Sequence, residues 1–442
     1  MLTPGYPLTP LLGEIKMNND DSTKKPLIDV NTGAPTMPET VDETGLDFGF
    51  LADLALKAVY SDAQSTSERV AEKIRLPMGI TEALLHHLYR EKFVEIHGRS
   101  KVQSNAYGIL DRGWERAQRL LDINGYIGAA PVSLEAYTSL VHWQEETKPP
   151  ADKKRVERSF AHLVLPAHAV QTLGLVVDSR RSLFLTGPAG SGKTTAAMAL
   201  HAALEGDIWI PYAIEVSGQI IRVFDPHWHQ PVSLASSYRY DRRWIKIRRP
   251  LVIVGGELSI ESMDLIYSES VKFYEAPFQV KSNGGVLIID DFGRQRVDPK
   301  DLLNRWIIPL ENHLDYLTLH TGKKIEIPFE QLLVFATNLN PDDLVDEAFL
   351  RRMGYRLPFT QPTSEIYGLI FQRYVAARGL NYEPALLHML LDRYRKENRQ
   401  MKACEPRDLI ERCLDICRYE KRPQTLTPEL LNLAWDNYFG TH

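Results

Sequence analysis

The chain has 442 residues, is 44% hydrophobic and 25% charged, and carries a net charge of −5 with three cysteines. That length and apolar share support two or three domains with ample core, and the negative balance excludes a global basic field that would recruit nucleic acid. Three cysteines make no disulfide framework, no run of about 18 apolar residues exists to span a bilayer, and no basic-then-apolar leader is present, so a soluble, cytoplasmic protein without membrane contact is expected.

Residues 1–45 are rich in Pro, Thr, Asn and Asp, lack an apolar period and read as disordered. The pattern changes over 46–125. Phe50–Tyr60, Ser65–Ile74 and Ile80–Lys92 have helical spacing, Phe93–Gly98 and Tyr107–Leu110 read as strands, and Asp111–Leu121 as a closing helix. Three helices and a two-stranded wing resemble a winged-helix domain, which implies either DNA binding through residues 80–92 in a major groove or docking of a protein partner. The segment holds 11 basic and 11 acidic residues. Such neutrality offers little phosphate neutralisation, so protein docking is the favoured expectation. Residues 126–160 read as a linker made stiff by Pro149-Pro150. Beyond it an α/β core over 161–360 and a helical lid over 361–442 are expected.

Leu183–Leu185 is a short apolar strand, Thr195–Leu204 is helix-prone, and between them runs Gly187-Pro188-Ala189-Gly190-Ser191-Gly192-Lys193-Thr194-Thr195. A strand, a glycine-rich turn and a helix N-terminus direct backbone N–H groups and a positive dipole end at one point, which holds a phosphate chain. In that pattern Lys193 reaches the β- and γ-phosphates and Thr194 offers its hydroxyl to Mg²⁺. An insertion at about 206–275 follows, because 97 positions separate Lys193 from Asp290. Within it Ala213–Phe224 reads as a hairpin, and Tyr238–Arg249 sets six basic residues and three aromatics against one acid. This stretch is the best candidate for a substrate surface, including DNA, although arginines paired locally on an amphipathic strand read the same way. His227-Trp228-His229 offers only two metal ligands and reads as loop.

Gly284–Ile289 is a buried-type strand ending in Asp290 and Asp291, placed for Mg²⁺ and for the attacking water respectively. Tyr316–Pro328 reads as a hairpin, Leu332–Ala336 as a further strand with Asn338 at its tip, and Arg351-Arg352 as either an exposed ion-paired face or a finger reaching a neighbouring subunit. Arg407 lies in the first turn of a helix, where it opposes the dipole, so binding a γ-phosphate across a domain boundary is the better account of it.

This order of motifs resembles the AAA+ ATPases over roughly residues 160–440. The resemblance implies ATP and Mg²⁺ as ligands, Lys193 and Thr194 as the Walker A pair, Asp290 and Asp291 as Walker B, Asn338 as sensor 1, Arg351 or Arg352 as the arginine finger and Arg407 as sensor 2. The hairpin before the sensor 1 strand is similar to the MoxR-like, pre-sensor-1 hairpin group. It implies a homo-oligomer, a hexameric ring, that remodels a protein. The alternatives are a DNA-acting AAA+ protein and an ATP-gated scaffold that barely hydrolyses, since Asp291 stands where the family usually has Glu.

Overall fold

Helical apolar spacing organises the first third of the chain. The computed structural model describes residues 27–99, 105–235, 238–340, 344 and 347–440. Residues 1–26 of the expected disordered segment lie outside that description, whereas 27–45 contain an antiparallel pair, β1 (Ile28–Asp29) and β2 (Ala34–Pro35). There follow α1 (Phe48–Tyr60), β3 (Ser65–Thr66), α2 (Ser67–Ile74), α3 (Met78–Arg90), β4 (Val94–Arg99), β5 (Asn105–Ile109) and α4 (Asp111–Ile123). Asp47 caps α1 and Thr66 caps α2, each side chain accepting a first-turn N–H. The apolar stripes of these helices close over Leu51, Leu54, Leu84 and Leu88, beside an antiparallel sheet ordered β3-β5-β4.

Next come β6 (Val132–Ser133), α5 (Leu134–Glu146), α6 (Lys153–Phe160), α7 (Ala167–Ser179), β7 (Leu183–Thr186) and α8 (Lys193–Ala203). The expected insertion supplies β8 (Asp207–Pro211), β9 (Ala213–Val216), β10 (Gln219–Arg222), β11 (Trp244–Arg248), β12 (Leu251–Val254), β13 (Ile266–Ser268) and β14 (Phe273–Glu275). A second sheet runs β13-β14-β10-β9-β6. Its β6 comes from the segment expected to be a linker: Val132 pairs with Ile214, and α5 buries Tyr137, Leu140 and Val141 in that sheet's core. The core of the first helical unit also runs into the sheet through Ala213, Ile220 and Phe273. Residues 126–160 thus join the two units instead of holding them apart, because the apolar face of α5 is covered by β6 and β9 of this sheet together with β8 and the strand Lys324–Pro328.

The remaining elements are α9 (Phe278–Lys281), β15 (Val286–Ile289), α10 (Pro299–Asn312), β16 (Leu314–Thr318), β17 (Lys324–Pro328), β18 (Leu332–Thr337), α11 (Glu347–Arg352), β19 (Tyr355–Pro358), α12 (Ser364–Ala377), α13 (Pro384–Lys396), α14 (Glu405–Tyr419) and α15 (Pro428–Phe439). The central sheet is ordered β12-β15-β18-β7-β19, and every neighbouring pair is parallel. Its β12 lies within the stretch read as inserted, yet belongs to the core. Leu183, Leu185, Val286 and Ile288 pack on one face with α7 and α8, while Phe184, Leu287, Ile289 and Phe335 pack on the other with Trp306 of α10. Burial on both faces explains why these strands read as unbroken apolar runs. The fold is α/β, a parallel sheet flanked by helices, with the four-helix segment α12–α15 closing on its own core of Phe371, Leu409 and Trp435.

Two histidines bracket one carboxylate where α5 meets this core. His142 Nδ1 lies 3.4 Å and His313 Nδ1 3.3 Å from Glu330. The hydrogen bond to Glu330 raises both imidazoles above their ordinary value, and although burial opposes it, those same bonds hold Glu330 below its own. Raised histidine values stabilise the fold fully below the unfolded 6.5 and lose that contribution as pH rises through the folded values; the depressed Glu330 contributes above 4.5 and loses it as pH falls. The joint is therefore expected to be tightest between these two values. With both histidines substantially exposed, roughly 0.5–1 kcal/mol is at stake. The protection of α5 amides, taken as exchange relative to the intrinsic rate at each pH, should fall on the alkaline side in the wild type and lose that dependence in Glu330→Gln.

Candidate functional site

The C-terminal ends of β7, β18 and β15 lie side by side, and the residues that follow them converge. After β7 the chain turns through Gly187 at φ 138°, Gly190 at 75° and Gly192 at 97° before α8 begins at Lys193. A Cβ at Gly187 would stand 2.0 Å from the Phe359 carbonyl oxygen, so no other residue fits there. Lys193 is 8% exposed, and its ammonium donates to the carbonyls of Gly187 at 2.8 Å and Pro188 at 2.9 Å. Burial pushes its pKa down, while Asp290 and Asp291 oppose that shift. Thr194 Oγ1 donates to both oxygens of Asp290, at 3.1 and 3.0 Å.

Asp290 and Asp291 follow β15. Asp291 is exposed, at φ 48°, in the left-handed region. Gln295 braces this turn: its Nε2 donates to the Asp290 and Asp291 carbonyls and its Oε1 accepts from Gly293 N–H. Thr337 ends β18 opposite Thr186 in the register with β7, so Asn338 stands level with the start of the glycine loop. Two polar atoms here are buried without a hydrogen-bond partner, Ser191 Oγ in the loop and Asn338 Oδ1 beside it. Buried polar atoms without partners are uncommon in folded proteins, and these two leave hydrogen-bonding capacity that water, an ion or a ligand can take up. The pair Thr194 and Asp290 offers hard oxygen donors, the chemistry of Mg²⁺, which is held by one or two carboxylates and keeps most of its waters. Among the described residues no group of three or more metal-binding side chains exists.

The lid touches the loop directly. Cys404 N–H donates to Gly190 O at 3.1 Å, and a Cβ on Gly190 would meet Cys404 Sγ at 2.6 Å. Arg407 follows within the same helix turn, exposed and paired with Asp408 at 2.9 Å. The loop contact through Lys402 and Cys404 was not legible, because nothing local in the sequence marks those positions as facing Gly190. Gln295 likewise carried no signal beyond its spacing from Asp291.

Arg351 and Arg352 stand elsewhere. They end α11 and precede β19, whose Tyr355 pairs with Leu183 at the start of β7 and whose Pro358 pairs with Thr186 at its end. They therefore lie at the N-terminal end of the sheet, a strand length of roughly 10–13 Å from the glycine loop. With Arg180, Arg181 and His313 they line a cleft of about 430 Å³. Arg352 is ion-paired to Glu311.

The basic stretch 238–249 divides. Arg243 is 3% exposed, forms a fork on Asp241, and donates to the carbonyls of Thr44 at 2.8 Å and Pro131 at 3.3 Å. Arg249 is buried, donates to the Glu205 and Gly284 carbonyls, and burial lowers its pKa to about 10. Both are structural, in keeping with the reading of locally paired arginines for these two positions and removing them from any substrate surface. Arg239, Arg242 and Arg248 remain exposed. On α3 the exposed face carries Glu82, His86, Tyr89 and a single arginine, Arg90, a poor match to duplex phosphates. His229 uses both ring nitrogens, accepting from Asp225 N–H and meeting Lys281 O, so it serves the loop and not a metal.

A family model described as a domain of unknown function (DUF8689) matches residues 363–437, the segment that forms α12–α15. Comparison with curated proteins finds no match. Similar solved structures include NtrX from Brucella abortus in complex with ATP, at 14% identity and TM-score 0.38, covering 72% of this chain and 62% of that one. The same protein in complex with ADP gives 16% and 0.39, covering 72% and 64%. The Thermotoga maritima RuvB Holliday junction branch migration motor gives 14% and 0.36, covering 65% and 69%. The chain thus spans less than two thirds of the length of NtrX. Such distant likenesses carry no statement about activity, which rests on the geometry of the site. Among the described residues no helix is long and apolar enough to cross a membrane.

Proposed function

We propose that the protein is an AAA+-type ATPase that binds ATP between its α/β core and its helical lid and uses hydrolysis to remodel or assemble a macromolecular partner. The observation that carries this reading is the meeting of Thr194 Oγ1 with both Asp290 oxygens beside a buried Lys193 and two orphan polar atoms. Lys193, now curled onto its own loop, leaves the carbonyls of Gly187 and Pro188 for the β- and γ-phosphates. Thr194 and Asp290 would hold Mg²⁺, which when bound would supply positive charge beside the phosphates. The backbone N–H groups from Gly187 to Thr195 cradle the phosphate chain, with Ser191 Oγ among its donors. Asp291 accepts a proton from the attacking water, and Asn338 orients that water. Arg407 reaches the γ-phosphate from the lid, and Cys404 on Gly190 transmits the change in lid angle.

The sheet-end placement of Arg351 and Arg352 supports action on a neighbouring subunit's nucleotide, and hence a closed ring, taken as a hexamer. The hairpin β16–β17 before β18 supports the MoxR-like subgroup, and residues 46–125 are taken as a winged-helix docking unit. The uncharged balance of that unit supports a protein client over duplex DNA.

The test is steady-state ATP turnover of the purified chain with and without duplex DNA, with Lys193→Ala as blank. Lys193-dependent turnover that ignores duplex DNA is expected. A clear rise with duplex DNA overturns the protein-client reading, and equal turnover by Lys193→Ala overturns the ATPase itself. Asp291→Glu, one methylene longer, is expected to raise turnover about tenfold, since general-base efficiency depends on reach to the water. Unchanged turnover in that variant assigns water activation to another group.

A further inference from the structure

Two clefts of about 530 and 540 Å³ share Tyr212: the first lies where the first helical unit meets the inserted sheet, with Glu72, Lys73 and Arg75 in its wall, and the second is lined by Met37 and residues of the inserted segment. Arg75 lies over the Tyr212 ring at 4.5 Å, and Arg242 lines the second cleft together with Tyr212. In the second cleft Tyr238 and Tyr240 stand 6.1 Å apart, and Tyr240 and Lys246 pack on the ring of the buried Trp209 at 4.9 and 5.9 Å. Arg239 and Arg242 line that cleft, are exposed, and meet no carboxylate among the described residues; nor do Arg75 and Lys246. The second cleft has no acidic lining residue at all, in a chain whose net charge is −5.

We infer that this groove binds a single strand of nucleic acid. Arg239 and Arg242, which meet no carboxylate among the described residues, stand with Lys246 in the second cleft and with Arg75 in the adjoining one, and together supply a local field for a phosphodiester backbone in a net-negative protein. Half-buried tyrosine faces between them are useful to bases that are unstacked, because a duplex presents only base edges. An acidic peptide would satisfy the arginines but leave the aromatic ladder without purpose. The inference adds a nucleic-acid ligand beside the proposed protein client and stands apart from turnover: that ligand is single-stranded and lies on the inserted segment, away from α3.

The experiment is fluorescence anisotropy of the full chain, without nucleotide, against labelled oligo(dT) of about a dozen nucleotides. Binding is expected to weaken at least about tenfold between about 50 and 200 mM salt, and to weaken about tenfold or more in Arg239→Glu/Arg242→Glu. Arg418→Glu, a similarly exposed lid arginine, should change it less than about twofold. An oligomer of the same length lacking bases should bind about tenfold more weakly or worse. Should the double charge reversal lose its circular dichroism signature, Arg239→Gln/Arg242→Gln serves instead, with a smaller shift in the same direction. Equal affinity for a duplex of that length, salt-independent binding, or equal competition by polyglutamate each overturns the inference, the last in favour of an acidic protein. Lys193→Ala should bind the oligomer as the wild type does, so loss of turnover with binding intact strikes only the ATPase reading.

Discussion

An equal mixture of Lys193→Ala subunits and Arg351→Ala/Arg352→Ala subunits is expected to hydrolyse ATP at about one quarter of the wild-type rate, although each alone should be slower by about three orders of magnitude. The reason is where the chain puts the two groups. Lys193 stands at the C-terminal end of the parallel sheet and the arginine pair at its N-terminal end, fixed by the Tyr355–Leu183 and Pro358–Thr186 pairing of β19 with β7. No rotation of an arginine side chain covers that distance within one subunit. In a mixed ring a working site needs an intact loop from one subunit and intact arginines from its neighbour, which random assembly supplies at about one interface in four. Turnover of the mixture that merely averages the two parents would remove the arginines from the neighbour's site. Rescue by mixing with only one arginine replaced identifies which of the pair acts.

The second large effect lies in the fold. Arg243→Met is expected to cost about 3–5 kcal/mol, read as a fall in the denaturation midpoint, because it strands Asp241, 1% exposed, as an unpaired buried carboxylate. It also removes the donors that tie Thr44 O and Pro131 O, and so the first helical unit and the joint, to the inserted sheet. Asp241→Asn/Arg243→Met should recover part of the loss, since the stranded charge is gone while the two carbonyls stay unpaired. Arg242→Glu, one residue away, is expected to stay within about 0.5 kcal/mol of the wild type. Equal destabilisation by Arg242→Glu and Arg243→Met would mean that the two arginines do not divide as their burial indicates. A charge reversal that includes Arg243 cannot report on nucleic-acid binding, because it unfolds the surface being tested.

The glycine loop was legible because everything it needs is local. A strand, a turn that admits positive φ and a helix start all lie within Leu183–Ala203, and their chemistry is carried by the residues themselves. Asp290 was legible for a similar reason, as the polar end of an unbroken apolar strand. The meeting of Thr194 with Asp290, 96 positions apart, needed the family likeness to be expected at all. Beyond such segments the pattern became ambiguous. Leu251–Val254 lies within the stretch read as an insertion, and only its pairing with Val286–Ile289 makes it part of the core.

The chain's own order of residues was enough to say that it builds an α/β core with a glycine-rich loop between strand and helix, followed by a helical segment, because strand, turn and helix signals act over a few residues and do not depend on what lies across the molecule. Tertiary packing decided the rest. It turned 126–160 from spacer into joint, by giving the apolar face of α5 a sheet to cover. It buried Arg243 and left Arg242 in solvent, although their neighbourhoods in sequence are nearly the same. It set Arg351 and Arg352 at the far end of the sheet from Lys193, because parallel register is a property of two strands and neither strand contains it alone.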